Sequence, residues 1–121
     1  MIKRKILVVD DDNTHLAIIR TFLVKHQFDV QVLISPLFIT EFIKIYGPDL
    51  IIMDINLGDF DGRLVCDKIK ADVETANIPI ILLTSLSHSE IARIECLADA
   101  IMGNPFEGKF LLSNITDLII N

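Results

Sequence analysis

The stretch from Leu50 to Gly62 reads LIIMDINLGDFDG and sets the architecture expected for this chain. It opens with four apolar residues that do not alternate with polar ones. Such a run is typical of a strand buried on both faces of a parallel sheet. Asp54 ends the run, and ligands bind at the carboxyl ends of strands in open α/β sheets. Asp54 is therefore either a turn residue that bonds to its own backbone or part of a ligand site.

Two further apolar runs, at 6–9 and 80–83, also end in polar residues. Parallel strands place their carboxyl ends at one edge of the sheet, so we expect the side chains at these ends to meet in one cleft. The convergence favours a ligand site at Asp54 over a simple turn. The residues expected in the cleft are Asp10, Asp11, Asp12, Asp54, Thr84 and Ser85.

The rest of the chain alternates strands with helices. Asn13 or Thr14 is the expected cap of the first helix, and Ser35 with Pro36 is expected to open the second. The predicted strands cover 6–9, 28–33, 50–53, 80–83 and 100–102, and the predicted helices end at His26, before Gly47, at Ala71, at Leu97 and at Ile120. This order predicts an α/β fold with a flavodoxin-like, doubly wound, five-stranded parallel sheet, in the strand order 2-1-3-4-5, and with helices on both faces.

The composition limits the classes of function. A chain of 121 residues suits one domain, 1–121, and 51% hydrophobic residues argue against disorder. The net charge of −6 argues against a nucleic-acid surface and against binding to an anionic membrane. No apolar run reaches the roughly 18 residues of a membrane span, and the N-terminal run is too short for a signal peptide. With two isolated cysteines, a cytoplasmic domain with reduced thiols is expected.

The expected cleft has the chemistry of a cation and phosphoryl site. Carboxylates about 4 Å apart repel by roughly 4 kcal/mol per pair at an effective dielectric constant near 20, so a bound cation would stabilise the cluster. Oxygen ligands with room for water favour Mg²⁺. A carboxylate can also attack phosphorus and form an aspartyl phosphate. The hydroxyl of Thr84 would then face the phosphoryl group, or else Thr84 and Ser85 form only a turn or a helix cap.

Four segments resemble the receiver domain of two-component response regulators. They are ILVVDD at 6–11, LIIMD at 50–54 with DG at 61–62, IILLTS at 80–85 and NPF at 104–106. The resemblance covers the whole chain. It implies that Asp54 is the phosphoacceptor, and that Asp11 and Asp10 hold Mg²⁺ directly and through water.

The resemblance also implies further roles at the site. The backbone carbonyl of Asn56 would be another metal ligand, Thr84 the switch hydroxyl, and Ser85 the small residue that leaves the site open. The peptide bond between Asn104 and Pro105 would be cis.

The resemblance extends to the partners. A phosphohistidine of a histidine kinase or of a histidine phosphotransfer protein would supply the phosphoryl group. The domain would signal by docking a protein target through its fourth helix, fifth strand and fifth helix, unless an output domain follows Asn121. It would not be an enzyme in the usual sense, although it would assist its own phosphotransfer and dephosphorylation. It would contact neither nucleic acid nor membrane.

Several positions depart from the family pattern. Asn104 stands where the family has a lysine that pairs with the aspartate and the phosphoryl oxygens. Ile101 stands at the usual aromatic switch position, Gly58 at a usual proline and Leu97 at a usual glycine. These departures predict intact phosphoacceptor chemistry and an altered conformational switch.

Two alternatives remain open from the residues alone. One is a pseudo-receiver, a binding module that keeps the fold without using phosphate, and Asn104 favours it. The other is a haloacid-dehalogenase-like phosphatase, whose nucleophile motif would be Asp10, Asp12 and Thr14. In that interpretation Asp54 has no role, and no acidic pair follows Thr84 as that family requires.

The three histidines, His15, His26 and His88, form no ligand pair at helical spacing. We expect them on the solvated surface.

Overall fold

Strands and helices alternate along the chain in the computed structural model, which describes residues 2–119. The main sheet has the parallel strands β1 (Lys5–Val9), β2 (Asp29–Leu33), β3 (Leu50–Asp54), β4 (Ile80–Thr84) and β5 (Ala100–Gly103). The helices are α1 (Asn13–Lys25), α2 (Ile39–Tyr46), α3 (Gly62–Ala71), α4 (His88–Ile91) and α5 (Gly108–Ile119). The strand order β2-β1-β3-β4-β5 confirms the predicted doubly wound sheet.

The central strands supply side chains to two hydrophobic cores, one on each face of the sheet. In β1, Ile6 and Val8 pack with the buried sides of α1 and α5, whereas Leu7 and Val9 pack with those of α2 and α3. All four side chains are at most 1% exposed. Because successive strand residues point to opposite faces, helices on both faces require an apolar residue at every position. The unalternating runs in the sequence are explained by this burial.

The helices bury the faces that their apolar spacing predicts. Leu16, Ile19 and Leu23 of α1 are buried, as are Leu111 and Ile115 of α5. The predicted end of the last helix at Ile120 lies outside the described residues. Within residues 2–119, each helix is too short or too polar to cross a lipid bilayer.

Asp12 caps α1. Its Oδ1 accepts hydrogen bonds from the backbone N–H groups of Thr14 at 2.9 Å and His15 at 3.2 Å. Asp12 has an extended backbone, and Asn13 is already the first helical residue. The predicted cap at Asn13 or Thr14 is therefore wrong, because the last acid of the cluster satisfies the free amides of the first turn.

The second helix begins at Ile39 rather than at Pro36. The hydroxyl of Ser35 accepts from the N–H of Leu37 at 3.2 Å and forms a turn there. Phe38 then adopts a left-handed conformation with φ of 63°, which interrupts a right-handed helix. The prediction that Ser35 caps the helix and that Pro36 is its first residue is wrong for this reason.

The fourth helix ends at Ile91, well before the predicted end at Leu97. Ser87 begins it with a capping box, because its hydroxyl accepts from the N–H of Glu90 while the Glu90 carboxylate accepts from the N–H of Ser87. The N–H of Leu97 donates to Oδ1 of Asp67 at 2.9 Å, so a side chain of α3 takes the place of a helical carbonyl.

Candidate functional site

In-register pairing brings the ends of four strands to one edge of the sheet. Val9 lies opposite Met53, Asp54 opposite Leu83, and Thr84 opposite Gly103. The residues around these ends form an open cavity of about 460 Å³. Its polar and charged lining consists of Asp10, Asp11, Asp12, Thr14, His15, Asp54, Asn56, Ser85 and Asn104.

Asp54, the last residue of β3, lies partly buried in this cavity. Its Oδ1 accepts from the N–H of Asn56 at 2.8 Å, in a turn of the kind that aspartate favours after a strand. Its Oδ2 accepts from the side-chain amide of Asn104 at 3.3 Å. Asp54 therefore has features of both interpretations. It bonds to its own turn, as a turn residue does, and it also lines the cavity, as a residue of a ligand site would.

The electrostatic surroundings of Asp54 are unfavourable to its charge. Burial raises the pKa of Asp54, and the carboxylates of Asp10 and Asp11 raise it further. The N–H of Asn56 and the ring of His15 act on the pKa in the opposite direction. The dominance of burial shows that the carboxylate has lost part of its hydration without gaining a full counter-charge.

Asp10 is almost completely buried, with 2% of its surface exposed, and is paired with His15. Its Oδ1 accepts from the N–H of Asp12 at 3.0 Å, and its Oδ2 contacts Nδ1 of His15. The prediction that His15 lies on the solvated surface is wrong. The Asp12 cap starts α1 so close to the end of β1 that a side chain of the first helical turn reaches Asp10.

The other histidines differ from His15. His26, at the opposite end of α1, is exposed as predicted. The side chain of His88 lies outside what the structure describes. One feature of the sequence could have predicted the contact between His15 and Asp10: His15 lies in the first turn of a helix that directly follows the acid cluster.

Asp11 is exposed at the rim of the cavity, beneath a short hairpin formed by Asn56–Leu57 and Phe60–Asp61. At Gly58, where φ is +68°, a Cβ atom would come within 3.3 Å of Oδ2 of Asp11. A positive φ favours glycine there, and the missing side chain leaves room for the Asp11 carboxylate.

Thr84 and Ser85 occupy different positions. Thr84 is buried, and its hydroxyl accepts from the N–H of Leu86 at 3.1 Å. Ser85 lines the cavity, whereas Thr84 is absent from the described residues that line it. The hydroxyl of Thr84 is engaged by the backbone of its own turn, and its role at the cleft stays a prediction.

Asn104 follows β5 and lines the cavity. Its N–H donates to the carbonyl of Thr84 at 2.7 Å, which fixes the backbone at the sheet edge. The bond to Pro105 is cis, as predicted. Its buried Oδ1 has no hydrogen-bond partner among the described residues. Ile101, at the predicted switch position, packs partly buried against the core beneath α2 and α3.

The donor set of the cavity fits a divalent cation. Carboxylate oxygens of Asp10 and Asp54 and a ring nitrogen of His15 lie within 4.8 Å of one another, and Asp11 adds a carboxylate at the rim. Among the described residues of the lining, His15 is the only basic side chain. Several carboxylates without a lysine or arginine leave negative charge that a cation would neutralise, and oxygen donors suit Mg²⁺.

Comparisons with known proteins agree with this geometry. A family model described as the response regulator receiver domain matches residues 6–108. The DNA-binding dual master transcriptional regulator RpaA of Synechocystis sp. is 29% identical over 117 residues, which are 95% of this chain and 48% of that protein. Histidine kinase P4 of Formosa agariphila is 32% identical over 98% of this chain and 9% of its own length. The chain thus spans half or less of the length of these relatives.

Solved structures show the same fold. The signal receiver domain of a signal transduction histidine kinase from Syntrophus aciditrophicus superposes with a TM-score of 0.87 at 28% identity, over 97% of this chain and 90% of that one. A protein from Chloroflexus aurantiacus J-10-fl superposes with a TM-score of 0.90 at 26% identity, over 99% of this chain and 100% of that one. With the family model matched over most of its length, this chain belongs to the response regulator receiver domain family of two-component signalling proteins.

Proposed function

We propose that Asp54 accepts a phosphoryl group from a phosphohistidine of a histidine kinase or of a histidine phosphotransfer protein. The observation that carries this proposal is the Asp54 carboxylate, which lies in an open acidic cavity at the carboxyl end of β3. In the transfer, an Asp54 oxygen forms a bond to phosphorus while the bond between phosphorus and the histidine nitrogen breaks. The donor leaves as imidazole, and Asp54 becomes an aspartyl phosphate.

The reaction takes a divalent cation in this proposal. Asp10, Asp11, Asp54 and the backbone carbonyl of Asn56 would hold Mg²⁺. When bound, the cation neutralises charge on the phosphoryl oxygens. Asn56 holds one Asp54 oxygen through its N–H, which leaves the second oxygen, beside Asn104, to attack. The small side chain of Ser85 leaves that side of the cavity open.

The phosphorylated domain would act as a signalling module rather than as a classical enzyme. We propose that it docks a protein target through α4, β5 and α5, and that it also assists its own dephosphorylation. Thr84 would take the switch role, with Asn104 at the usual lysine position. A cytoplasmic location belongs to the same proposal, as does the assignment of residues 1–121 to one receiver domain without nucleic-acid or membrane contacts.

Intact mass after incubation with acetyl phosphate tests the proposal. In Mg²⁺ we expect one adduct of about 80 Da per chain, the mass of one phosphoryl group. The adduct should be absent in EDTA and in Asp54→Asn. It should persist in Asp59→Asn, a control in which an exposed acid of the same loop is changed.

Each alternative has its own outcome in this experiment. No adduct in Mg²⁺, under conditions that label a known receiver, would support the pseudo-receiver. An adduct that survives in Asp54→Asn and disappears in Asp10→Asn would support the phosphatase interpretation instead.

A further inference from the structure

The fold brings the two cysteines of the chain into one hydrophobic core. Cys66 belongs to α3, and its side chain is completely buried. Cys96 lies partly buried in the irregular segment between α4 and β5. It packs against the core cluster that contains Cys66, on the face of the sheet covered by α2 and α3. Two thiols that are far apart in the sequence therefore share one packing site.

A hydrogen bond holds the segment of Cys96 against the helix of Cys66. The N–H of Leu97 donates to Oδ1 of Asp67 at 2.9 Å. These two residues directly follow the two cysteines in the sequence. Because consecutive Cα atoms are only about 3.8 Å apart, the bond also keeps Cys66 and Cys96 near each other.

The electrostatic surroundings of Cys66 agree with this arrangement. Burial raises the pKa of Cys66 to about 12. Among the charged groups around it, Cys96 raises this pKa most, ahead of Asp67, the next residue in the chain. Since the interaction of two charges weakens with distance, the sulfur of Cys96 lies close to that of Cys66.

The two thiols differ in how they can meet an oxidant. Cys66 is enclosed by the core and stays protonated, so on its own it is unreactive. Cys96 is the thiol that solvent reaches, and residues 92–99 around it form neither helix nor strand. A disulfide needs Cα atoms about 4.4–6.8 Å apart, and an irregular backbone can move to that spacing more easily than a helix can.

We infer that Cys66 and Cys96 form a reversible intramolecular disulfide when the chain meets a peroxide, and that this bond fastens the segment 92–99 to α3. The inference is independent of phosphorylation at Asp54. The fastened segment connects α4 with β5, two elements of the proposed docking face. Oxidation would therefore restrain that face.

The proposed reaction has two steps. The Cys96 thiolate attacks one oxygen of hydrogen peroxide, the O–O bond breaks, and Cys96 becomes a sulfenic acid while hydroxide leaves. The sulfur of Cys66 then attacks the sulfur of Cys96 and forms the S–S bond, and the proton of Cys66 leaves with the sulfenic hydroxyl as water. The two thiols lose two electrons, which the peroxide gains. A dithiol reductant reverses the reaction by exchange.

Peptide mapping of the oxidised full chain tests the inference. The reduced chain is treated with hydrogen peroxide, its remaining thiols are blocked with N-ethylmaleimide, and it is digested with trypsin without a reductant. We expect peptides 64–68 and 94–109 to be joined, and their mass to be about 2 Da below the sum of the reduced peptides, because two hydrogens are lost. Dithiothreitol should separate them. A disulfide between two chains, seen as a doubled intact mass, would overturn the inference.

Two variants test the order of the steps. In Cys96→Ser, which changes the partly exposed residue, Cys66 should remain a free thiol after the same treatment. In Cys66→Ala, Cys96 has no second thiol in its chain and should become a sulfinic acid, heavier by about 32 Da. Oxidation of Cys66 in Cys96→Ser as fast as in the unmodified protein would overturn the proposed order.

The unmodified protein provides a test that does not depend on the folding of a variant. The disulfide should raise the melting temperature, because a cross-link restricts the unfolded chain, and it should slow amide hydrogen exchange in residues 92–99. Peroxide-treated Cys96→Ser is the control and should show neither change. A lower melting temperature of the linked chain would overturn the inference, as would a free Cys66 thiol beside a sulfinic Cys96 in the unmodified protein.

Discussion

Asp54 carries its charge where burial and two neighbouring acids make the charged form costly. The folded chain holds the carboxylate there with the N–H of Asn56 and the amide of Asn104, both of which are neutral donors. Neither donor brings a positive charge that would offset the charge of the carboxylate. At the residue scale, the Asp54 carboxylate therefore lowers the stability of the folded state while it remains accessible as the proposed nucleophile.

The raised pKa of Asp54 predicts how stability depends on pH. Ionisation of Asp54 costs more free energy in the folded state than in the unfolded chain, so it lowers the free energy of unfolding. The lowering is complete above the raised pKa and vanishes below the ordinary pKa of about 3.9. In EDTA, Asp54→Asn should therefore melt at a higher temperature than the unmodified protein at neutral pH. The gain should shrink as the pH falls towards 4, because Asp54 becomes protonated in both states.

The exposed Asp59 provides the control for this pH series. Asp59→Asn should show no comparable gain at neutral pH. A constant difference between Asp54→Asn and the unmodified protein across the pH range would contradict the assignment of the effect to the Asp54 charge.

Gly62 allows the chain after Asp54 to fold back tightly. Its N–H donates to the carbonyl of Ile55 at 2.7 Å, and a Cβ on Gly62 would lie 2.8 Å from Cα of Ile55 and even closer to the carbonyl of Asp54. Gly62→Ala should lower the free energy of unfolding by about 1–3 kcal/mol, the usual cost of overpacking a core. Gly103→Ala is the control in urea melts, because nothing lies within 4 Å of its added Cβ. Equal stability of the two variants would refute this role of Gly62.

At the element scale, aspartates mark the starts of the helices that flank the site. Asp12 caps α1 and Asp61 caps α3, where its Oδ1 accepts from the N–H of Arg63 at 2.9 Å. The guanidinium of Arg63 donates to the same carboxylate and lowers the pKa of Asp61. The caps fix where each helix begins relative to the strand end, and so they fix which side chains reach the cavity.

Asp61→Ala should destabilise the protein by about 1 kcal/mol, since the first turn of α3 loses its side-chain acceptor. Asp61→Asn keeps the cap and loses only the partly exposed ion pair with Arg63, which is worth about 0–1 kcal/mol. Urea melts of the two variants measure the difference. Equal losses would show that the ion pair, rather than the cap, stabilises this helix.

The sequence predicted the strands and the residues that meet at their ends, but it missed the residues at which α1 and α2 begin and at which α4 ends. Unalternating runs identified the buried strands, and the parallel order placed Asp10 beside Asp54. The N–H of Leu97, the predicted end of α4, instead donates to Asp67, a residue of another helix that helical spacing does not reveal. The position of His15 depends on the residue at which α1 starts, and helical spacing alone does not give that residue.

At the scale of the whole molecule, the proposed function requires a signal to travel from Asp54 to the proposed docking face formed by α4, β5 and α5. Asn104 is the link on the β5 side, through its side-chain contact with Asp54 and its backbone bond to Thr84. A lysine in that place would offer a full positive charge to the phosphoryl group, whereas the amide of Asn104 is a neutral donor. Ile101, at the usual aromatic switch position, has no hydroxyl group that could change its hydrogen-bond partner on phosphorylation. We therefore expect both residues to weaken the coupling between phosphorylation and that face.

We expect a beryllofluoride mimic of the phosphoryl group to shift the amide NMR signals of α4, β5 and α5 only slightly. Moving a two-state equilibrium from 1:99 to 99:1 takes about 5.5 kcal/mol, and the missing lysine contact removes one source of that free energy. Asn104→Lys should enlarge the shifts. Large shifts across that face in the unmodified protein would show that another relay, beginning with Thr84, replaces the lysine.

Chemical mapping of the phosphorylated residue tests the central claim most directly. Borohydride reduces an aspartyl phosphate to homoserine, which marks the modified carboxylate permanently for peptide mass spectrometry. After phosphorylation in Mg²⁺ and reduction, we predict homoserine at position 54 and unchanged aspartate at positions 10, 11, 12 and 59. Homoserine at position 10 or 12 with intact Asp54, or no homoserine in a sample that carries the phosphoryl adduct, would contradict the assignment of Asp54 as the phosphoacceptor.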